Sequence, residues 1–171
     1  MARNMYIYFP GTKALEGSAT PKEIADKKAI EILSYSHGVS MPLSGASVGH
    51  QARHHGRANH SDFTFSKYLD QATPHFNHYT SGGNVIKQAV VALFHASEKD
   101  ADSKPILFME YTMDEVIISS VSVGGGGSDL PVETISLNYG KIKWAHNLMD
   151  NKTGAGKGQV ATTWNLFDNT K

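Results

Sequence analysis

The feature that most constrains this chain is the form of its apolar segments. They are short, rich in β-branched and aromatic residues, and cut by Gly, Pro, Ser or Asp before they reach helical length. Candidate strands run over residues 5–9, 29–40, 62–68, 89–95, 106–113, 116–123, 132–146 and 160–167. Eight strands in 171 residues predict a mainly β fold, a barrel or a sandwich. A single domain over residues 1–171 is expected, in which 150–158 is a linker to a C-terminal edge strand carrying Trp164, Leu166 and Phe167.

One helix has clear punctuation. Thr73 reads as its N-cap, with Asp70 as the competing cap, and Pro74 fits the first helical position, where no N–H is needed. Gly82 reads as the left-handed residue that ends it. Phe76, Tyr79 and Thr80 then share one stripe, facing the strands. Four segments read as loops: 43–59, small, basic and histidine-rich; 97–105, charged; 124–131, with four consecutive glycines; and 150–158. Asp114–Glu115 and Asp100/Asp102 read as solvated turn and loop carboxylates.

Charge and composition exclude several classes. Sixteen basic residues balance sixteen acidic ones, so no general field draws nucleic acid or another polyanion. The chain has no cysteine, which removes disulfides and thiolate chemistry together. No run approaches the roughly 18 apolar residues of a membrane span, so no membrane insertion is expected. Residues 1–9 reach Pro10-Gly11 without an apolar run of signal-peptide length, so export would need dedicated machinery rather than a cleaved signal.

His50, His54, His55 and His60 lie within eleven residues, and neutral imidazoles at that spacing can bind zinc, copper or nickel. No carboxylate or cysteine lies between them, and the alternative is a solvated loop that gains charge as pH falls. A metal-binding β-domain is thus the second reading, while no metal or other cofactor is expected. Ser34, Ser36 and His37, with Asp62 or Asp70 as orienting acid, are the candidates for nucleophilic chemistry, but Ser36 and His37 are adjacent on a strand and face opposite ways. There is no Gly-x-Ser-x-Gly elbow, His-Glu-x-x-His pair or Walker-type loop, and the glycine run leads into a strand rather than a helix. No enzyme is expected; a small-molecule-binding barrel or hydrolase stays open only through a pocket invisible in sequence.

Several blocks occur together in one order: Glu16-Gly17-Ser18; Ile30-Glu31-Ile32-Leu33-Ser34-Tyr35-Ser36-His37-Gly38; Phe63-Thr64-Phe65-Ser66-Lys67-Tyr68-Leu69-Asp70 leading to Ala72-Thr73-Pro74; Val116 to Ser122; the glycines; Glu133 to Tyr139; and Lys141-Ile142-Lys143-Trp144. In these blocks the chain resembles the Hcp family, the haemolysin-coregulated tube subunits of type VI secretion. The resemblance implies a two-sheet β-barrel with one short flanking α-helix and no catalysis. It implies six copies closing into a ring, and rings stacking into a tube inside a contractile sheath. The implied partners are further copies of the chain, a VgrG-like tip spike, sheath and baseplate, and small secreted effectors in the lumen. It implies a subunit held in the bacterial cytoplasm and expelled by sheath contraction. Two departures stand out: Tyr35 replaces a common Trp, and the 43–59 loop is unusually rich in histidine. On this reading Ser34 and Ser36 face the lumen, and Gly45, His54, Ser97, Gly125 and Ser128 lie at ring or stacking contacts.

Overall fold

The computed structural model describes residues 3–19, 22–44, 54–95, 105–127, 130–149 and 156–170. The chain opens with β1 (Arg3–Tyr8), a 3-10 turn at Lys13–Leu15 and a four-residue helix α1 (Lys22–Ala25). Short strands follow: β2 (Ile30–Glu31), β3 (Ser34–Ser36), β4 (Val39–Ser40), β5 (Leu43–Ser44), β6 (His54–His55) and β7 (Asn59–His60). Then come β8 (Phe63–Tyr68), helix α2 (Thr73–Gly82), β9 (Val85–His95), β10 (Ile106–Gly124), β11 (Val132–Asn138), β12 (Lys141–Met149) and β13 (Gly156–Asn165). The mainly β expectation holds, and α1 is an element the sequence did not announce.

The architecture turns on β10. It is 19 residues long and continuous, although Asp114–Glu115 reads in sequence as a turn between two strands. Instead Glu115 takes a left-handed φ of 53° and bends the strand without ending it. Opposite the bend, the expected single strand over 132–146 is interrupted at Tyr139–Gly140, where the Gly140 N–H donates to the Asp114 carbonyl oxygen (3.1 Å). Below the bend, Met109 to Asp114 pair with β12; above it, Ile117 to Gly124 pair with β11. Two antiparallel layers result, β2-β1-β9-β10-β12-β13 and β10-β11-β8-β3, sharing the bent strand.

The far edges of the two layers meet at one segment. Residues 29–40, read in sequence as one strand, break into β2, β3 and β4 because the segment changes partner. Ile30 and Glu31 pair with β1, the Ile32 N–H donates to the Met5 carbonyl, the Leu33 N–H donates to the Ser66 carbonyl, and β3 pairs with β8. The barrel therefore folds over through a shared segment rather than a continuous ladder.

Strand alternation fills the interior with Ile7, Phe63, Phe65, Ile86, Val91, Met113, Ile118, Ile135, Leu137 and Ile142. Phe76 of α2 is fully buried against Phe9 and Phe65, at ring centroid distances of 5.7 and 6.2 Å. The outer faces of β1 and β9 form a second cluster, with Tyr6, Tyr8, Val90, Ala92 and Phe94 covered by Ile24 and Ala29. That cover needs Gly17: its N–H donates to the Lys28 carbonyl (2.7 Å), and a Cβ there would fall on the Ala29 carbonyl and the Ile30 side chain.

The stripe of α2 is as expected, with Phe76 buried and Tyr79 and Thr80 half-buried, but its caps differ. Ala72 is the N-cap and makes no side-chain cap bond. The Thr73 hydroxyl instead accepts from the Asp70 N–H (3.0 Å) and donates to Glu133 Oε1 (2.8 Å). Asp70 Oδ1 accepts the Ala72 N–H (2.8 Å). Gly83 (φ 61°) rather than Gly82 makes the left-handed end.

Glu133 and Asp70 also hold Lys67, whose side chain is 0 % exposed and whose Nζ lies 2.7 Å from Glu133 Oε1 and 2.8 Å from Asp70 Oδ1. Nζ donates as well to the Tyr68 carbonyl (2.8 Å). A buried ammonium is tolerable only with such a full set of acceptors, so this network ties the start of α2 to β8 and β11. Removing one member leaves uncompensated buried charge, and Lys67→Met is expected to cost about 3–5 kcal/mol in urea unfolding. Adding Glu133→Leu to that variant should recover part of the loss; a cost below about 1 kcal/mol for the single change would contradict this account of the network.

Candidate assembly and cargo surfaces

In the layer β3-β8-β11-β10 the register aligns Tyr35, Phe65, Ile135 and Val121 in one cross-strand row on the core side. Alternation then sends their neighbours to the opposite face. Two rows stand there: Ser34, Ser66, Thr134 and Ser122, and Ser36, Thr64, Ser136 and Ser120. All eight are hydroxyl residues. Ser34 Oγ and Ser66 Oγ lie 2.5 Å apart, and Thr64 Oγ1 and Ser136 Oγ 3.0 Å apart. Hydroxyls both donate and accept, so this face is polar without charge and satisfies part of its own hydrogen bonding.

Sequence reasoning selected Ser34 and Ser36 and missed the other six. The signal was present as hydroxyl-x-hydroxyl in three more strands, Thr64/Ser66, Ser120/Ser122 and Thr134/Ser136. Only the register shows that these pairs stand side by side. At one end of the rows Asp62 accepts from the Ser119 hydroxyl (2.5 Å) and from Asn138 Nδ2 (2.9 Å). Towards the other end, Leu33, Tyr68 and Leu69 are exposed and line a shallow groove with Ser18, Ile30 and Glu31. Exposed large apolar side chains gathered at a sheet edge mark a surface suited to cover.

The 43–59 segment differs from the expected loop. Its described flanks form a ribbon that leaves the barrel: β4 pairs with β7, matching Val39 with His60, and β5 pairs with β6, matching Leu43 with His55 and Ser44 with His54. The root is clamped, since the Ser61 N–H donates to the Gly38 carbonyl (2.9 Å) and the Gly38 N–H donates to Ser61 Oγ (2.8 Å).

Of the four candidate metal-ligating histidines, His54 and His55 lie on β6, His60 on β7, and His50 outside the described residues. His60 turns into an aromatic cluster, stacked on Trp164 (6.4 Å between centroids, 18° between planes) and 6.2 Å from Trp144. Among the described residues no three His, Asp or Glu gather in a metal-holding group. His37 joins the same cluster, 5.8 Å from Phe63, 6.2 Å from Tyr111 and 6.1 Å from Trp144. The Tyr139 hydroxyl donates to the Ser61 carbonyl (3.2 Å), so its oxygen accepts from His37 Nε2–H at 2.7 Å. Burial lowers the pKa of His37, with the nearby His60 adding to the effect, and burial also lowers that of His60. Tyr111 is pushed up to about 12 by burial and its contact with Tyr35, and Tyr139 is raised by burial and by Asp62.

The nucleophile candidates do not come together: Ser36 is exposed, His37 faces the cluster, Asp62 serves Ser119 and Asn138, and Asp70 serves Lys67 and the Ala72 N–H. Among the candidate contact residues, Gly125 is exposed in the β10–β11 connection and His54 is on β6, while Gly45, Ser97 and Ser128 lie outside the described residues.

This two-layer antiparallel fold with one flanking helix and no assembled catalytic group among its described residues belongs to a class of secretion proteins. It superposes on a solved type six secretion system protein with a TM-score of 0.84 at 26% identity, over 99% of both chains. The family described as type VI secretion system effector, Hcp, matches residues 6–146, and the chain belongs to the Hcp family. Protein hcp1 of Pseudomonas aeruginosa is 28% identical over 116 residues, 67% of this chain and 69% of that protein. Hcp1 from Salmonella typhimurium shares the fold, with a TM-score of 0.73 at 20% identity over 99% of both chains.

The Tyr139 hydroxyl bridges the Ser61 carbonyl and His37 Nε2. Tyr139→Phe leaves the Ser61 carbonyl and His37 Nε2 without this partner, and urea unfolding should show a loss of about 1–3 kcal/mol. A neutral substitution would mean that solvent already serves both groups.

Proposed function

We propose that this chain is the subunit of a type VI inner tube, in which six copies close into a ring and rings stack. Family membership supports the secretion role, and the single observation that carries the finer reading is the hydroxyl face opposite the core. It is a broad uncharged surface needing neither a pocket nor a metal, and as the wall of a ring it would let cargo bind weakly and leave. Ser34 and Ser36, with the six hydroxyls beside them, are the proposed cargo contacts for small secreted effectors.

The edges give the ring its contacts. The outer edges of β3 and β13, and the exposed apolar side chains beside β8, are hazards in an isolated chain and are covered when each copy meets the next around a closed ring. We assign stacking to the β10–β11 connection with Gly125 and Ser128 and to the Ser97 loop, and further contacts within the ring to the 43–59 segment with Gly45 and His54. On this reading the chain acts as one domain ending in the β13 edge, which begins at Gly156, inside the expected 150–158 linker. It is made in the bacterial cytoplasm, surrounded by sheath and baseplate, capped by a tip spike, and expelled by sheath contraction. The function is structural rather than enzymatic.

The chain has no cysteine, so introduced cysteines report cleanly. Cysteines at Ser97 and Ser128 should, on oxidation under tube-forming conditions, give covalent species larger than six subunits; products ending at six would contradict the stacking assignment. On the inner face, Ser36→Gln should reduce co-purification of a small effector at least several-fold while leaving the ring intact. Unchanged recovery would remove Ser36 from the cargo surface.

A further inference from the structure

The two histidines at the root of the ribbon lie on the core side, away from the hydroxyl rows, and are packed among aromatic rings. His60 is the last residue of the ribbon's return strand β7, and His37 directly precedes the clamp residue Gly38. His37 is linked through the Tyr139 hydroxyl to Ser61, the other clamp residue. His60 Nδ1 is buried with no hydrogen-bond partner, so a proton added there gains no acceptor. Both rings lie against aromatic faces and edges, those of Phe63, Tyr111, Tyr139 and Trp144 for His37 and of Tyr139, Trp144 and Trp164 for His60.

We propose that His37 and His60 form an acid-sensitive latch: seated neutral in the aromatic cluster they hold the Gly38–Ser61 clamp shut, and protonation drives them out and frees the ribbon. Aromatic faces attract a cation, so the drive outward comes from lost hydration and from the repulsion between the two charged rings. Tyr35 of β3 packs on Tyr111 of β10; Tyr111 and Tyr139, both with raised pKa values, carry no charge in the acidic range, and Phe63, Trp144 and Trp164 never titrate. The nearby carboxylate, Asp62, has its two oxygens engaged by Ser119 and Asn138.

The direction follows from linkage. Both imidazoles have pKa values below the ordinary 6.5 in the folded chain. Below pH 6.5 the open state therefore binds more protons than the closed one. The latch is at full strength above pH 6.5 and weakens as pH falls from there towards the lowered values. Because the two rings repel once charged, the opening is spread over a wider range than a single titration. The ribbon bears residues assigned above to contacts between copies, so the same protonation loosens those contacts; that consequence rests on the assembly reading, whereas the latch itself does not.

The chain supplies its own reporter, since it has two tryptophans, Trp144 and Trp164, and both lie beside His60. For the full-length protein taken from pH 7.5 to 5, tryptophan emission should change with a midpoint below 6.5. Amide exchange at Gly38 and Ser61, corrected for its intrinsic pH dependence, should rise on the order of tenfold for each unit by which a pKa is lowered. His60→Phe keeps an aromatic ring against Trp164 and removes one of the two titrating groups, so its emission change and its rise in clamp exchange should both be clearly smaller than in the wild type. Carbon-13 spectra of histidine-labelled wild-type protein give a second reading that needs no variant: two imidazoles should titrate below 6.5. Two imidazoles at 6.5 with steady clamp exchange, or a His60→Phe protein that keeps the wild-type transition, would overturn the latch.

Discussion

Everything in this fold depends on one strand being shared. β10 runs for 19 residues, holds β9 along one side, and is divided on the other between β12 below its bend and β11 above it. If the strand ended at Asp114–Glu115, the two layers would be separate hairpins with no fixed angle between them. Because Glu115 takes a positive φ within a continuous ladder, the angle is built into the backbone, and the interior between the layers has a definite volume for Phe63, Phe65, Phe76 and the aliphatic residues to fill.

Once the layers are set, alternation decides the chemistry of their outer faces, and it does so differently on each. On β1 and β9 the outward residues are apolar and are covered by the chain itself, through Ile24, Ala29 and the close approach allowed at Gly17. On β3, β8, β11 and β10 they are hydroxyls left open to solvent. The chain's own covering segments lie on the first face and leave the second one clear. The Lys67–Glu133–Asp70–Thr73 network seats α2 beside this layer, and its members come from β8, the turn after it, the helix and β11.

Much of this was legible in the residues, for physical reasons. Strands announce themselves through short β-branched and aromatic runs, and α2 through Pro74, a terminal glycine and the Phe76 stripe. What stayed hidden depended on partners far along the chain. Thr73 looks like a cap because helices start at threonines, but its hydroxyl is used by Glu133, 60 residues away. Asp114–Glu115 looks like a turn because nothing local reveals that Gly140 will bind the Asp114 carbonyl. His60 looks like one of four candidate ligands until Trp144 and Trp164 arrive from β12 and β13 to stack on it. The hydroxyl face was half visible, since each strand carries its pair but only the register sets the pairs side by side.

The open hydroxyl face, the uncovered strand edges and the family all bear on one claim, that the folded chain completes itself by closing on copies of itself. Light scattering of the untagged protein at neutral pH measures this most directly. The account predicts a species near six times the 18.6 kDa chain, about 112 kDa, that keeps its mass on moderate dilution. An 18.6 kDa monomer that persists across concentration would contradict it.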